Sequence, residues 1–509
     1  MKNWIKTNRV EFIILLAILI LASFLRFYRL PEYMTFLGDE GRDAIVIKEI
    51  LVDHDFPLLG PVTSIGNMYL GPLYYYMMAV PMAIFWLNPA AAAGMVAVIG
   101  ILTVFLIYYL GSSWFGKWSG LIAAYLYAIS PVTIFYSRSS WNPNPAPFFA
   151  LLSILGLYKA KKTGNFYWLV LTGVALAFAV QMHYLSLILV PILGIIWIYE
   201  LTLKRRLKME NKNFYKGTIL AVAAFLFLMS PLLVFDLKYN FMNFKAVSAF
   251  FTDRQTTVNV NPFNSLERIE PIYVTDLISK YMTGEVQFLA IVVAILILVP
   301  LILAIYEKYK GQPLKWAYLA LFLWSAIGVG GLALYKQTVY VHYLGFLNPA
   351  PYLLLGSLIY IVPRVRKWSV VSLRTFIGLM VVLVVTLTVV NFQKSPLLDP
   401  PNRQLQRTQD VAKFIIAQSR NKPFNFALLA EHNYDSAYQF YLERYGHNPL
   451  KVPENKTEQL FVVCEDAVCT PTNSPKYEIA AFGMSKVESV QEVLGVKVYK
   501  LVANPSGKP

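Results

Sequence analysis

Long apolar runs constrain the fold of this chain more than any other feature of its sequence. About eleven segments, most of them roughly 20 residues long and the fourth shorter, are nearly free of charged side chains, and a helix of roughly 20 residues crosses the hydrocarbon core of a bilayer. Only 15% of the 509 residues are charged, against roughly 25% in soluble proteins. The sequence therefore predicts a polytopic α-helical membrane protein. The predicted spans are residues 10–27, 89–110, 119–136, 145–158, 166–182, 185–201, 217–235, 286–305, 316–334, 343–362 and 370–390.

One further apolar run, residues 72–87, is either a twelfth span or a helix that only dips into the interface. Cytoplasmic loops carry an excess of Lys and Arg. With a cytoplasmic N-terminus, the basic clusters at residues 159–162 and 204–216 face the cytoplasm only if this run does not cross. The bias favours eleven spans in the plasma (inner) membrane. It also accounts for the net charge of +16, so no nucleic-acid partner is predicted.

Three polar stretches then lie on the extracytoplasmic side. Two are outer loops, residues 28–71 and 238–285, within a multi-span region covering residues 1–394. The third, residues 395–509, has the composition of a small soluble α/β domain and begins with a proline-rich linker. The hydrophobic patterns of this domain predict both element types: helices at 405–420 and 434–445, and strands at 424–430, 460–464, 477–482 and 496–502.

The most informative polar segment is Gly38-Asp39-Glu40-Gly41-Arg42-Asp43-Ala44, about ten residues beyond the first span. The glycines allow close backbone approach, and a carboxylate that is oriented and partly desolvated can act as a general base toward a hydroxyl. Asp39 and Glu40 are the candidate catalytic residues, with Arg42 beside them as a substrate-binding candidate. The alternative is a hydrated acidic loop without a catalytic role.

Other candidate substrate-binding residues lie at four further outer turns. Arg138 stands in a rigid turn with two Asn-Pro steps, and its planar guanidinium suits phosphate. A snorkelling interfacial arginine is the alternative for Arg138, and a structural role is the alternative for the histidines. The remaining candidates are His183, Asp236, Lys238, Lys336 and His342.

Two cysteines, Cys464 and Cys469, lie in the predicted extracytoplasmic domain, where an oxidising compartment favours a disulfide between them. Their spacing is a poor match to a zinc site, and no metal-ligand set is assigned. A divalent cation stays open as a cofactor. The chain contains neither a Walker motif nor a GxGxxG motif, which argues against a nucleotide-driven pump.

The sequence resembles the GT-C superfamily of glycosyltransferases, and within it the protein mannosyltransferase and aminoarabinose transferase branch (glycosyltransferase family 39-like). The resemblance covers roughly residues 10–390. Its motifs, in order, are Gly38-Asp39-Glu40, Gly71-Pro72-Leu73-Tyr74, the Ser137-Arg138 turn after Ile129-Ser130-Pro131, and the turn at residues 181–184.

The resemblance implies transfer of a sugar, with inversion, from a polyprenyl-phosphate donor to an acceptor hydroxyl or amine on the extracytoplasmic face. Asp39 would be the general base, and Arg138 the best match for a phosphate-binding residue. Relatives often carry Lys-Pro-Pro-Leu where this chain reads Leu70-Gly71-Pro72-Leu73. Lys238 or Lys336 would then have to replace the missing lysine.

The sequence therefore predicts a membrane glycosyltransferase that acts on a lipid, glycan or protein acceptor among membrane lipids. The alternative is a transporter or flippase for a lipid-linked or polar solute. Transporters more often show internal repeats and charges at the bilayer midplane, whereas the acids here stand in an outer loop.

Overall fold

The chain folds into a bundle of apolar helices followed by a small C-terminal sheet. A computed structural model describes residues 6–65, 68–207, 212–252, 258, 262–365 and 369–504. The helices in chain order are α1 (Arg9–Phe27), α2 (Leu30–Tyr33), α3 (Gly38–Lys48), α4 (Leu73–Ile84), α5 (Pro89–Phe115), α6 (Lys117–Ile129), α7 (Pro131–Tyr136), α8 (Ala146–Thr163), α9 (Trp168–Met182), α10 (Leu189–Arg206), α11 (Lys212–Lys238), α12 (Met242–Thr252), α13 (Lys280–Met282), α14 (Gln287–Tyr309), α15 (Trp316–Leu334), α16 (Pro349–Val365), α17 (Val370–Gln393), α18 (Gln404–Ser419), α19 (Ser436–Arg444) and α20 (Tyr477–Phe482).

The structure has the predicted class, a polytopic helical membrane protein. Within the described ranges, seven helices are long and apolar enough to cross a bilayer. In the other four predicted spans, helices α9 and α16 are shorter, and α8 has 18 residues but carries three lysines near its end. The span at 119–136 breaks at Ser130, where Pro131 starts a new helix. The count of eleven spans therefore stays a prediction. Helix α4, inside the disputed run 72–87, has 12 residues and rises only about 18 Å, less than the core of a bilayer.

Small residues bring the helices of the bundle close together. Helices α5 and α6 cross at Gly111 and Gly120, where a Cβ on Gly111 would lie 2.8 Å from the Cα of Gly120. Helices α9 and α11 approach equally closely, since a Cβ on Gly173 would meet the carbonyl oxygen of Ala221 at 2.1 Å. Close contact through small residues drives helix association in membranes, where apolar burial gives little advantage over lipid.

The C-terminal region forms a four-stranded sheet with strand order β1-β2-β4-β3. Strands β1 (Asn425–Leu429) and β2 (Gln459–Cys464) are parallel, whereas β2 pairs antiparallel with β4 (Val496–Ala503) and β4 with β3 (Ser485–Val493). A disulfide joins Cys464, at the end of β2, to Cys469.

One sequence prediction in this region was wrong, and one strand was missed. Residues 477–482 form helix α20 instead of a strand, because Ile479 and Phe482 are spaced to bury one helical face. Strand β3 was not predicted. Its residues are almost all exposed, so the apolar alternation that would reveal a strand is weak. The helices at 405–420 and 434–445 and the other three strands are found as predicted.

Basic side chains gather at one end of the bundle. Lys161 at the end of α8 forms an ion pair of 2.8 Å with Glu200 of α10. Lys204 stacks over Phe166, with 4.2 Å between the ammonium nitrogen and the ring centroid, and Lys315 donates to the carbonyl of Trp114. The C-terminal sheet lies at the opposite end, where α19 packs on α3. Which end faces the cytoplasm stays a prediction.

Candidate active site

Helix α3 begins at the Gly-Asp-Glu-Gly motif because its first turn is capped from within. The Glu40 carboxylate accepts a hydrogen bond of 3.0 Å from the backbone N–H of Leu37, and Gly41 N–H donates to the Leu37 carbonyl at 2.8 Å. Acidic residues in the first turn also suit the positive end of the helix dipole. Glu40 is 7% exposed, and this burial raises the pKa of its carboxyl to about 7. Its side chain is therefore used to build the turn.

Asp39 points away from this cap, and its side chain is 38% exposed. Arg42, one turn along the helix, donates to Asp39 Oδ1 at 2.8 Å and to Asp43 Oδ1 at 2.7 Å. The arginine is thereby held between two carboxylates while its own side chain stays partly exposed. Such charge-assisted hydrogen bonds fix the direction of the Asp39 carboxylate.

The C-terminal domain closes over this turn. The Tyr434 hydroxyl donates a hydrogen bond to Asp39 Oδ1, and Asn433 Oδ1 accepts one from the Gly38 backbone N–H at 2.9 Å. A Cβ on Gly38 would lie 2.5 Å from the Tyr434 ring, and one on Gly41 would lie 2.2 Å from the backbone nitrogen of Ala437. Both glycines of the motif are therefore explained by contact with the domain.

A cavity of about 530 Å³ opens beside Asp39. It brings together four of the residues that the sequence suggested, Asp39, Arg42, His183 and His342. Aromatic rings form much of its wall. Among the described residues that line this cavity, Arg42 is the only one with a positively charged side chain. The complete lining is Asp39, Arg42, Val62, Thr63, Ser64, Leu70, Trp141, Asn142, Pro143, His183, Tyr184, Tyr340, His342, Tyr343 and Tyr434.

A smaller cavity of about 300 Å³ lies on the other side of the same carboxylate. It shares Asp39, Trp141, His342 and Tyr434 with the larger cavity. Its other lining residues come from residues 35–40, from the turn at 135–139 and from residues 432–433 of the C-terminal domain. Asp39 therefore stands where two cavities meet.

The two histidines are packed in the aromatic wall and are uncharged at neutral pH. The ring of His342 lies 4.4 Å from that of Trp141, and the ring of His183 lies 4.6 Å from that of Tyr184. Burial lowers the pKa of His342 to about 4, although the Asp39 carboxylate favours its charged form. Burial and then the neighbouring His342 lower the pKa of His183 as well. Neutral rings suit the faces and hydroxyls of a sugar better than they suit a phosphate.

Arg138 has its guanidinium occupied by the protein. It donates to the carbonyl oxygens of Leu25 and Tyr28 at 2.8 Å and 2.7 Å, is 3% exposed and lines neither cavity. These carbonyls belong to the end of α1, where backbone acceptors have no partner within the helix. In this structure, Arg138 ties the turn after α7 to the end of the first helix.

The other three candidates also lie outside both cavities. Asp236 caps helix α12, since its carboxylate accepts from the backbone N–H groups of Asn243 and Phe244 at 2.7 Å and 2.9 Å. Lys238 lies over the ring of Tyr239 at 5.5 Å, and Lys336 is half-buried after α15. No group of three His, Cys, Asp or Glu side chains is arranged to hold a metal ion within the described ranges, and no chemical step is assigned to a cation.

The sequence analysis did not identify two residues that line both cavities, Tyr434 and Trp141. Trp141 stood in the Arg138 turn and could have been noticed as an aromatic residue beside a candidate ligand site. Tyr434 gave no signal, because it lies 395 residues from Asp39 in the chain and in a domain without a recognised motif.

The chain is similar to known proteins in part of its sequence and in its fold. Residues 70–235 match the family described as dolichyl-phosphate-mannose-protein mannosyltransferase. The structure of ArnT from Cupriavidus metallidurans bound to undecaprenyl phosphate superposes with a TM-score of 0.60 at 12% identity, over 96% of this chain and 97% of that protein. No curated protein sequence matches the chain significantly.

Two larger proteins share the same fold. The oligosaccharyltransferase of Archaeoglobus fulgidus superposes with a TM-score of 0.55 at 14% identity, over 87% of this chain and 60% of that protein. The arabinofuranosyltransferase AftD from Mycobacteria gives 0.52 at 14% identity, over 98% of this chain and 40% of that protein.

The chain therefore has the GT-C glycosyltransferase fold. Within that class it is similar to the protein mannosyltransferase and aminoarabinose transferase branch, as its motifs predicted. The family match and the fold together support a glycosyltransferase over the transporter or flippase alternative.

Proposed function

We propose that the protein transfers a sugar from a polyprenyl-phosphate donor to an acceptor hydroxyl or amine, with Asp39 as the general base. The observation that carries this proposal is the position of one partly exposed carboxylate at the meeting point of two cavities. In an inverting transfer, the attacking acceptor atom and the departing phosphate oxygen lie on opposite sides of the sugar carbon under attack. A base at the boundary can take the acceptor proton as the new bond forms.

The two cavities differ in the way that two substrates would require. The larger has a wall of aromatic rings, which suits a sugar ring. It also has the positive charge of Arg42, whose guanidinium already donates to Asp39 and Asp43. The smaller has no lysine or arginine among the described residues that line it and suits the acceptor. In the reaction, Asp39 takes the proton, the acceptor atom bonds to the anomeric carbon, and the bond from that carbon to the phosphate oxygen breaks. Polyprenyl phosphate leaves with the electron pair.

Similar proteins support this assignment of the donor class. The Cupriavidus ArnT structure holds undecaprenyl phosphate, and the Archaeoglobus oligosaccharyltransferase has been seen with an inhibitory peptide and a dolichol-phosphate. We extend only the lipid phosphate to this chain. The sugar transferred would be a hexose or a pentose, and the acceptor a lipid, a glycan or a protein.

The experiment that tests the proposal is deletion of the gene followed by mass spectrometry of lipid-linked sugars and surface glycans. We expect one polyprenyl-phosphate sugar to accumulate and one glycan to lose a sugar. Wild-type protein should restore both, whereas Asp39→Asn should reduce transfer by on the order of 10²–10⁴-fold, the usual contribution of general-base catalysis.

Asp55→Asn is the matched control, because Asp55 is an exposed acid of the same polar segment that lines neither cavity. It should restore transfer fully. A deletion strain with an unchanged lipid-linked sugar pool would refute the proposed function, and full activity of Asp39→Asn would refute the role of Asp39.

A further inference from the structure

The two oxygens of the Asp39 carboxylate have different surroundings. Oδ1 accepts hydrogen bonds from Arg42 and from the Tyr434 hydroxyl. Within the described part of the chain, Oδ2 accepts none. A carboxylate with one oxygen held and the other open can present a defined lone pair to an incoming proton, which general-base catalysis requires.

Tyr434 is fixed where its hydroxyl must meet Asp39. Its ring packs on Gly38 so tightly that no side chain fits between them. Its neighbour Asn433 accepts from Gly38 N–H and donates to Glu465 at 3.0 Å, and Glu465 also accepts from Tyr438 at 2.6 Å and from Arg407 at 3.2 Å. This network anchors the 433–434 turn to the body of the C-terminal domain.

We propose that Tyr434 is a positioning residue for the reaction: the C-terminal domain completes the active site by holding Asp39 Oδ1, so that Oδ2 is the oxygen that takes the acceptor proton. The inference rests on the proposed function for its chemical meaning. The C-terminal domain then takes part in catalysis and is more than a cover for the bundle. Tyr434 lines both cavities.

The test uses full-length protein in detergent and the variant Tyr434→Phe, which keeps the ring against Gly38 and removes only the hydroxyl. The first measurement is the pH dependence of carbodiimide labelling of Asp39, read by peptide mass spectrometry, and it needs no substrate. A hydrogen bond donated to a carboxylate favours its charged form. Labelling of the variant should therefore have its midpoint at a higher pH than labelling of the wild type, because the hydroxyl that donates to Asp39 Oδ1 is gone. Charged or titratable groups near Asp39 are Glu40, Arg42, Asp43, His342 and Tyr434, and the variant removes only the last.

The second measurement is transfer in the complemented deletion strain. Tyr434→Phe should lower the rate about tenfold, the loss expected for one hydrogen bond to a charged group, with the accumulated donor unchanged in identity. The matched control is Tyr445→Phe, which removes a hydroxyl bonded to Gln409 in the same domain and away from both cavities. It should change neither measurement.

An unchanged labelling midpoint in Tyr434→Phe would overturn the inference, and so would wild-type transfer by that variant. A deletion strain without any change in lipid-linked sugars would instead refute the proposed function. The labelling curve would still decide whether Tyr434 controls the Asp39 carboxylate.

Discussion

Adjacent acids in this site have opposite surroundings, which is why residue type alone says little about their roles. Glu40 is buried and uses its carboxylate to cap α3, whereas Asp39 is partly exposed between two cavities. A helix turns by about 100° per residue, so neighbours in the first turn must point in different directions. Both acids line the smaller cavity, but the cap occupies the Glu40 carboxylate and leaves that of Asp39 partly exposed.

The burial of Glu40 makes the stability of the folded protein depend on pH, and this dependence can be measured. Its pKa is raised from 4.5 to about 7, so its contribution to stability is fully present below pH 4.5 and is lost as the pH rises through 7. The loss is at most about 3 kcal/mol. Glu40→Gln keeps an acceptor oxygen and removes the charge. Its Tm relative to wild type should therefore rise between pH 5 and pH 8, measured by thermal unfolding in detergent.

Asp53→Asn provides the comparison, because Asp53 is an exposed acid near the end of the same helical segment. Its Tm relative to wild type should not change with pH over that range. If Glu40→Gln shows the same flat difference, then the Glu40 carboxyl is not the buried acid that the structure describes.

At the scale of elements, glycines decide how closely the helices approach. Gly173 in α9 meets the backbone of α11, whereas Gly194 in α10 has nothing within 4 Å of the position where a Cβ would lie. The carbonyl of Leu228 in α11 accepts a hydrogen bond from Gln181 at 2.9 Å, and Gln181 also accepts from the N–H of Leu73 at the start of α4. The spacing of α9 and α11 is thus connected to the loop beside the site.

Gly173→Ala should destabilise the bundle, and Gly194→Ala should not. In the first variant a methyl group would lie 2.1 Å from the Ala221 carbonyl oxygen, and the resulting overpacking typically costs about 1–3 kcal/mol. In the second, alanine gains helix propensity without a clash. Thermal unfolding of both variants checks this. An unchanged Tm for Gly173→Ala would contradict the close crossing of α9 and α11, and a lower Tm for Gly194→Ala would contradict the open space beside that glycine.

At the scale of the whole molecule, the sequence predicted the fold class well and the site in part. The apolar runs correspond to the observed helices, because hydrophobic length is a local property. Asp39, Arg42, His183 and His342 do line one cavity. The role of Arg138 could not be predicted, since the sequence shows a guanidinium but not the backbone carbonyls to which it donates. Tyr434 was missed because its contact with Asp39 depends on the docking of a distant domain.

The arrangement of the molecule across the membrane provides the last prediction. Lys162 lies at the basic end of the bundle, after the fourth predicted span, and Lys451 lies in the C-terminal domain, after the eleventh. An odd number of spans between them places them on opposite sides of the bilayer, and the positive-inside rule makes the basic end cytoplasmic.

Cys464 and Cys469 are joined in a disulfide, so an introduced cysteine is the thiol that reacts. In intact cells, a membrane-impermeant maleimide should label Lys451→Cys, and it should label Lys162→Cys only after permeabilisation. Both positions are exposed, and Lys162 leaves the ion pair of Lys161 with Glu200 intact. Labelling of both from outside would mean an even number of spans between them, and labelling of Lys162→Cys alone would reverse the orientation and place the Asp39 site on the cytoplasmic face.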